Sequence, residues 1–208
     1  MNNISFSYYL ITDRKACAPR TLLDVVDEAC GQGIKAVQLR EKDVGGRALY
    51  KLAKQLRKVT KQYGTLLFIN DRVDIALAVG ADGIHCRENS LSPEVIKKLS
   101  NDLLIGSSVH SVERAQKAKS EGADFLLFGP VFYTPSKDSY GQPQGIERLK
   151  EVIKSVNIPV FAVGGINMEE AQACLDVGAE GIAGISSIMK SSATKGTVKN
   201  WEKILGEL

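Results

Sequence analysis

The chain has no apolar run approaching the ~20 residues that a bilayer crossing requires. Its hydrophobic content, 44% of 208 residues, is therefore expected to fill a core rather than to span a membrane. A large charge imbalance is also missing. Twenty-seven basic residues stand against 24 acidic ones, a formal net charge of +3, which gives no bulk attraction to nucleic acid or to an anionic membrane. The four cysteines, Cys17, Cys30, Cys86 and Cys174, form no CxxC pair and do not cluster with the two histidines, His85 and His110. That spacing argues against a zinc site or a disulfide framework and predicts reduced thiols. The N-terminus lacks the basic stretch and apolar core of a secretory leader, so a soluble cytoplasmic protein is expected. No linker, low-complexity tract or charge block divides the sequence, which predicts one domain over residues 1–208.

What is present is a series of short apolar runs, each ending in polar, charged or glycine residues. They cover residues 8–11, 36–39, 66–69, 83–84, 103–105, 125–128, 159–163 and 181–185. Between them, residues 21–32, 47–63, 71–79, 92–99, 112–121, 146–156 and 169–177 carry apolar side chains at three- and four-residue spacing, the period of an amphipathic helix. A last helix is expected from about residue 198 to the end. Ser111 and Asn167 are candidate N-caps, and Ser92-Pro93 places proline at the favoured first helical position. A weak repeat recurs as Gly80-Ala81-Asp82, Gly122-Ala123-Asp124 and Gly178-Ala179-Glu180, with Gly33-Ile34-Lys35 as a looser copy. Each glycine closes a helix and each triplet leads into a strand. Strands this short and apolar are buried on both faces, as parallel strands are. Eight strand–helix units without a GxGxxG after the first strand predict an α/β fold, a single (β/α)8 TIM barrel, with its chemistry on the carboxyl-end rim.

Read from that rim, Gln38, Arg40 and Lys42 alternate along the second strand and would point one way as an anion clamp; the plain alternative is a solvated loop. Asn70-Asp71 suits Mg²⁺ bridging to a phosphate, while Asp71 could also cap the helix that follows. Ser107 and Ser108 could donate to an anion or a leaving group, or cap a helix. His110 alone reads as structural. The long segment from Gly129 carries Thr134, Ser136 and Lys137, a donor set suited to a mobile lid over a phosphate. Gly164-Gly165 and Ile185-Ser186-Ser187 occupy the positions where barrels of this kind bind phosphate through backbone N–H groups. One neutral and one cationic anion site together suggest a monophosphate substrate and a pyrophosphate leaving group, hence group transfer between small molecules.

Tyr9-Leu10-Ile11-Thr12-Asp13, Val37 to Asp43 (VQLREKD), Ile69 to Asp74 (INDRVD), Gly129-Pro130-Val131-Phe132 with Thr134 and Lys137, and Val163-Gly164-Gly165-Ile166 resemble the thiamine-phosphate synthase and TenI superfamily from about residue 8 to residue 188. The resemblance implies coupling of hydroxymethylpyrimidine diphosphate to thiazole phosphate, with pyrophosphate leaving alongside Mg²⁺. It implies that Gln38, Arg40, Lys42, Asn70 and Lys137 hold the diphosphate and that Asp71 binds Mg²⁺. Ser108 would assist the leaving group, Thr134 and Ser136 would contact the thiazole phosphate, and Gly165, Ile185 and Ser186 would complete that site. A homodimer is possible, as small barrels often pair.

One departure stands out. The synthases resemble His-Leu-Gly-Gln-Glu-Asp after the fourth strand, with the aspartate a second Mg²⁺ ligand. This chain reads His85-Cys86-Arg87-Glu88-Asn89-Ser90, with Ser90 in that place and Glu88 as a candidate substitute. Two alternatives follow: a TenI-like thiazole tautomerase, a branch that tends to carry histidine where this chain has Pro130, or a non-catalytic paralogue that binds a thiamine-pathway phosphate.

Overall fold

In the computed structural model, residues 4–134 and 142–208 are described. Eight parallel strands, β1 (Tyr8–Ile11), β2 (Ala36–Leu39), β3 (Leu66–Asn70), β4 (Gly83–Cys86), β5 (Leu104–Val109), β6 (Phe125–Phe128), β7 (Val160–Val163) and β8 (Gly181–Gly184), form a closed barrel in chain order. The helices between and after them are α1 (Leu22–Gly31), α2 (Gly46–Tyr63), α3 (Val73–Val79), α4 (Pro93–Leu99), α5 (Val112–Ser120), α6 (Gly145–Ser155), α7 (Met168–Asp176), α8 (Ser186–Met189) and α9 (Thr194–Leu205). The fold is the (β/α)8 barrel that the sequence predicts. By chain contacts it comprises two compact units: Ser5–His85 with Gly184–Leu208, and Cys86–Ala183 together with residue 4.

The elements form for local reasons. Ser92, Ser111 and Asn167 cap α4, α5 and α7 through their side chains, each satisfying an N–H that the first helical turn leaves without a partner. Gly80, Gly122 and Gly178 take positive φ, where a side chain would be strained. The acidic residue after each Gly-Ala pair then ties the coming strand to its neighbour. The Asp82 N–H donates to Leu67 O at 2.9 Å and the Leu67 N–H returns to the Asp82 carboxylate at 2.7 Å. Asp124 repeats this with Ile105, both bonds at 2.8 Å, and the Glu180 N–H donates to Val160 O at 2.9 Å.

Alternation along the strands divides inside from outside. In the first unit Tyr9 packs edge-on to Phe68 with ring centres 5.2 Å apart, and Phe6 stacks beneath Tyr9 at 5.5 Å. Tyr8 faces the other way, onto Trp201 of α9. In the second unit Phe125 and Phe161 meet edge-on at 5.6 Å. All four cysteines are buried, and none of them is in a disulfide. Burial pushes the Cys30 thiol up to about 11 and the Cys174 thiol up to about 12, so both stay protonated and unreactive. No helix among the described residues is long and apolar enough to cross a membrane.

Candidate active site

The carboxyl ends of β1 and β2 are joined by a dense polar network. Thr12 is fully buried. Its N–H donates to Gln38 O at 2.9 Å, its hydroxyl accepts from the Arg40 N–H at 2.9 Å, and the same hydroxyl donates to Glu41 at 2.8 Å. Glu41 is itself buried and also accepts from the Arg14 backbone at 3.1 Å and from the Arg14 guanidinium at 2.9 Å. Arg14 reaches on to Asp43. Those two hydrogen-bonded carboxylates hold the guanidinium above its usual range, and Arg14 with Lys15 holds Asp43 well below the usual carboxylate range. Glu41 is therefore a structural anchor and not part of a solvated loop. Because β2 ends at Leu39, strand alternation does not carry through to Lys42, which lies exposed in the following turn. Arg40 is instead set in place through its backbone bond to Thr12.

Gln38 and Asn70 are the opposite case. Gln38 is in register with Ile11 and Phe68 and 1% exposed. Neither of its amide atoms has a hydrogen-bond partner among the described residues. Asn70, in register with His85, leaves its Oδ1 buried in the same condition. Buried amides left this way cost about 1–3 kcal/mol each and mark where an incoming polar group would be received.

Asp71 does not cap α3. The N-cap is Arg72, with no side-chain cap bond, and Asp71 sits at φ 66°, the only non-glycine among the described residues in the left-handed region. Aspartate tolerates that region better than most residues, and such backbone is found at ligand-holding positions. The Asp71 N–H donates to His85 O at 2.9 Å, and the Arg72 N–H closes back on Asn70 O at 2.8 Å. This turn brings one carboxylate and one carboxamide oxygen to the end of β3. A donor set of that kind fits Mg²⁺ shared with substrate phosphates, since the ion takes one or two protein carboxylates and fills its remaining positions with water and phosphate oxygens. Among the described residues no cluster of three or more His, Cys, Asp or Glu could hold a metal alone.

In the second unit, Ser90 closes the turn after β4. Its hydroxyl accepts from the Arg87 N–H at 2.8 Å and its own N–H donates to Arg87 O at 3.0 Å. Glu88 is held by Arg114 of α5 at 2.9 Å, and Arg114 also binds the Glu88 carbonyl at 2.9 Å. Ser107 and Ser108 lie inside β5 rather than after it, opposite Leu126 and Leu127. They cap nothing; Ser111 does that work. Leu127 is in register with Phe161, so Ser108 shares the inward face and Ser107 the outward one. His110 donates from Nδ1 to Gly129 O at 2.5 Å, the structural use that the sequence suggests.

Gly164 and Gly165 have φ 97° and 68°. A Cβ on Gly164 would lie 2.7 Å from Pro130 Cβ, and one on Gly165 would run into the backbone of Phe132 and Tyr133. The close approach that demands glycine here is thus to the segment after β6, a reason not visible in the sequence. Thr134 is half-buried, while Ser136 and Lys137 fall outside the described residues. Ile185 is the N-cap of the short helix α8, and Ser186 opens that helix, exposed to solvent. The only mark of the Thr12–Glu41 network in the sequence is a lone acid between two cationic residues.

The chain is similar to known proteins over most of its length. The family model described as thiamine monophosphate synthase matches residues 8–188. A thiamine-phosphate synthase from Clostridium novyi is 39% identical over 97% of this chain and 100% of its own length. Another, from Pyrococcus furiosus, is 40% identical over 96% of this chain and 95% of its own. A solved structure of a thiamine phosphate pyrophosphorylase from Pyrococcus furiosus superposes with a TM-score of 0.88 at 39% identity, covering 97% of this chain and 96% of that one. The family match over residues 8–188, with relatives this similar along nearly their whole length, places this chain in the thiamine monophosphate synthase family.

Proposed function

We propose that the chain couples hydroxymethylpyrimidine diphosphate to thiazole phosphate, releasing pyrophosphate and forming thiamine phosphate. The activity is that of a thiamine-phosphate synthase, a transferase acting on phosphorylated small molecules. The observation that carries the substrate reading is the set of buried amide atoms without a hydrogen-bond partner among the described residues, both of Gln38 and the Oδ1 of Asn70, close in sequence to Arg40, Lys42 and Asp71. A diphosphate would supply acceptors for the Gln38 Nε2 and charge for the two cations.

In this reading Gln38, Arg40, Lys42, Asn70 and Lys137 hold the diphosphate. Asp71, with the Asn70 carbonyl, would hold Mg²⁺, which when bound would offset the charge of the departing group. The bond between the pyrimidine methylene carbon and the diphosphate oxygen breaks, and its electron pair leaves with pyrophosphate. The thiazole nitrogen then donates its lone pair to that carbon. Arg40 and Lys42 lower the barrier by opposing charge that grows on the leaving oxygen, the kind of fixed electrostatic aid that is strongest in a dry site. Ser108, on the inward face of β5, would donate its hydroxyl to the same group. Thr134 and Ser136, with Gly165, Ile185 and Ser186, would seat the thiazole phosphate and hold the nitrogen in line.

A tautomerase would need a proton-transferring group, and Pro130, where that branch tends to carry histidine, has none. The test is direct. Purified protein mixed with both substrates and Mg²⁺ is expected to form thiamine phosphate and pyrophosphate in equal amounts over many turnovers. Intact substrates, with phosphate binding retained, would leave a silent binder.

A further inference from the structure

Strand β5 carries two adjacent hydroxyls, and the proposed chemistry uses one of them. Ser107 faces the helices. It is 4% exposed, and its Oγ has no hydrogen-bond partner among the described residues. Beside it lies a cleft of about 180 Å³, room for about six water molecules. Arg87 and Glu88 line it from the segment after β4, and Arg114, Lys117 and Glu121 from α5 and its end. Arg114 and Lys117 face the two carboxylates there. Each carboxylate already engages one cation: Glu88 with Arg114 at 2.9 Å, and Glu121 with Lys117 at 3.8 Å. The second pair is beyond hydrogen-bond length, so the Lys117 ammonium can turn to a better acceptor at little loss.

We propose that this cleft is a second ligand site, outside the barrel, for a compact oxyanion: the phosphate or carboxylate group of a small metabolite, bound by the Ser107 hydroxyl, Arg114 and Lys117. An oxyanion answers both features at once. It accepts from the buried hydroxyl, which otherwise carries a desolvation cost, and it offers the Lys117 ammonium a closer acceptor than Glu121. Binding here would be felt across the strand, because Ser107 and Ser108 share one stretch of backbone. That consequence rests on Ser108 acting as proposed; the binding itself does not.

The test titrates the full chain with inorganic phosphate while amide resonances are followed by NMR. Saturable shifts at Ser107, Arg114 and Lys117 are expected. Ser107→Ala and Arg114→Gln should each weaken them at least about fivefold, one hydrogen bond's worth, and Arg40→Ala, which disables the rim, should leave them unchanged. Parallel titration with acetate distinguishes a carboxylate preference from a phosphate preference. Shifts confined to Arg40, Gly165 and Ser186, or shifts indifferent to both cleft substitutions, would overturn the proposal and leave the cleft as a hydrated gap. Turnover measured on the same samples keeps this outcome separate from the fate of the synthase reading.

Discussion

Gln38 and Glu41 stand three residues apart at the end of β2, both buried, and their polar atoms meet opposite fates. Glu41 accepts from Thr12, from the Arg14 backbone and from the Arg14 side chain, while both amide atoms of Gln38 lack a partner among the described residues. The first arrangement is complete as it stands and stabilises the fold. The second is incomplete and is stable only because its surroundings hold it. Burial of a polar residue therefore says little about its role until its partners are counted. Arg40 sits at the join: its backbone belongs to the finished network, and its side chain, in the proposed function, to the site.

Four substitutions would break or sharpen this contrast. Arg40→Ala should have the largest effect, lowering turnover about a hundredfold, as loss of one charge-stabilising group does, with thermal stability nearly unchanged because the backbone bond to Thr12 remains. A comparable fall in melting temperature would show that the side chain serves the fold instead. Thr12→Val keeps shape but removes the hydroxyl shared by Arg40 N–H and Glu41, and should cost about 2 kcal/mol in denaturant unfolding. Thr12→Ser should restore most of it. Gln38→Leu should move stability the other way or not at all, since it removes two unsatisfied atoms, while lowering kcat/KM about tenfold. Lost stability there would mean that the amide is structurally engaged. Ser90→Asp should have the smallest effect, shifting the Mg²⁺ midpoint of turnover only about two- to threefold, the scale of one weakly placed carboxylate. An unchanged midpoint would mean that metal binding depends on Asp71 without help from this turn.

Much of the architecture was legible because it is written locally. The bounds of β1, β2 and β6 follow directly from apolar runs, and the Gly-Ala-Asp repeat marks strand starts because its acid bonds the neighbouring strand's backbone. Strand β5 was read short because Ser107 and Ser108 look like a strand's end, although both lie within the ladder. Helix α8, a single turn, carries no periodicity to detect. The site was legible in its charges and not in its supports. Nothing in the sequence reveals that Glu41 is buried, since its partner Arg14 is 27 residues away, or that Asp71 adopts left-handed backbone. Those facts depend on tertiary contacts that spacing along the chain does not encode.

The root of the segment after β6 has a consequence of its own. Val131 and Phe132 donate to Val163 O and Gly164 O, both at 3.0 Å, and on the returning side Gln144 and Gly145 donate to Pro130 O and Val131 O, at 2.8 and 3.0 Å. Departure and return are thus stitched at one neck. Four backbone bonds therefore fix where the chain leaves the barrel after β6 and where it comes back before α6. The neck is consequently written in main-chain atoms, and any residue except proline can supply the N–H at its four donor positions, Val131, Phe132, Gln144 and Gly145.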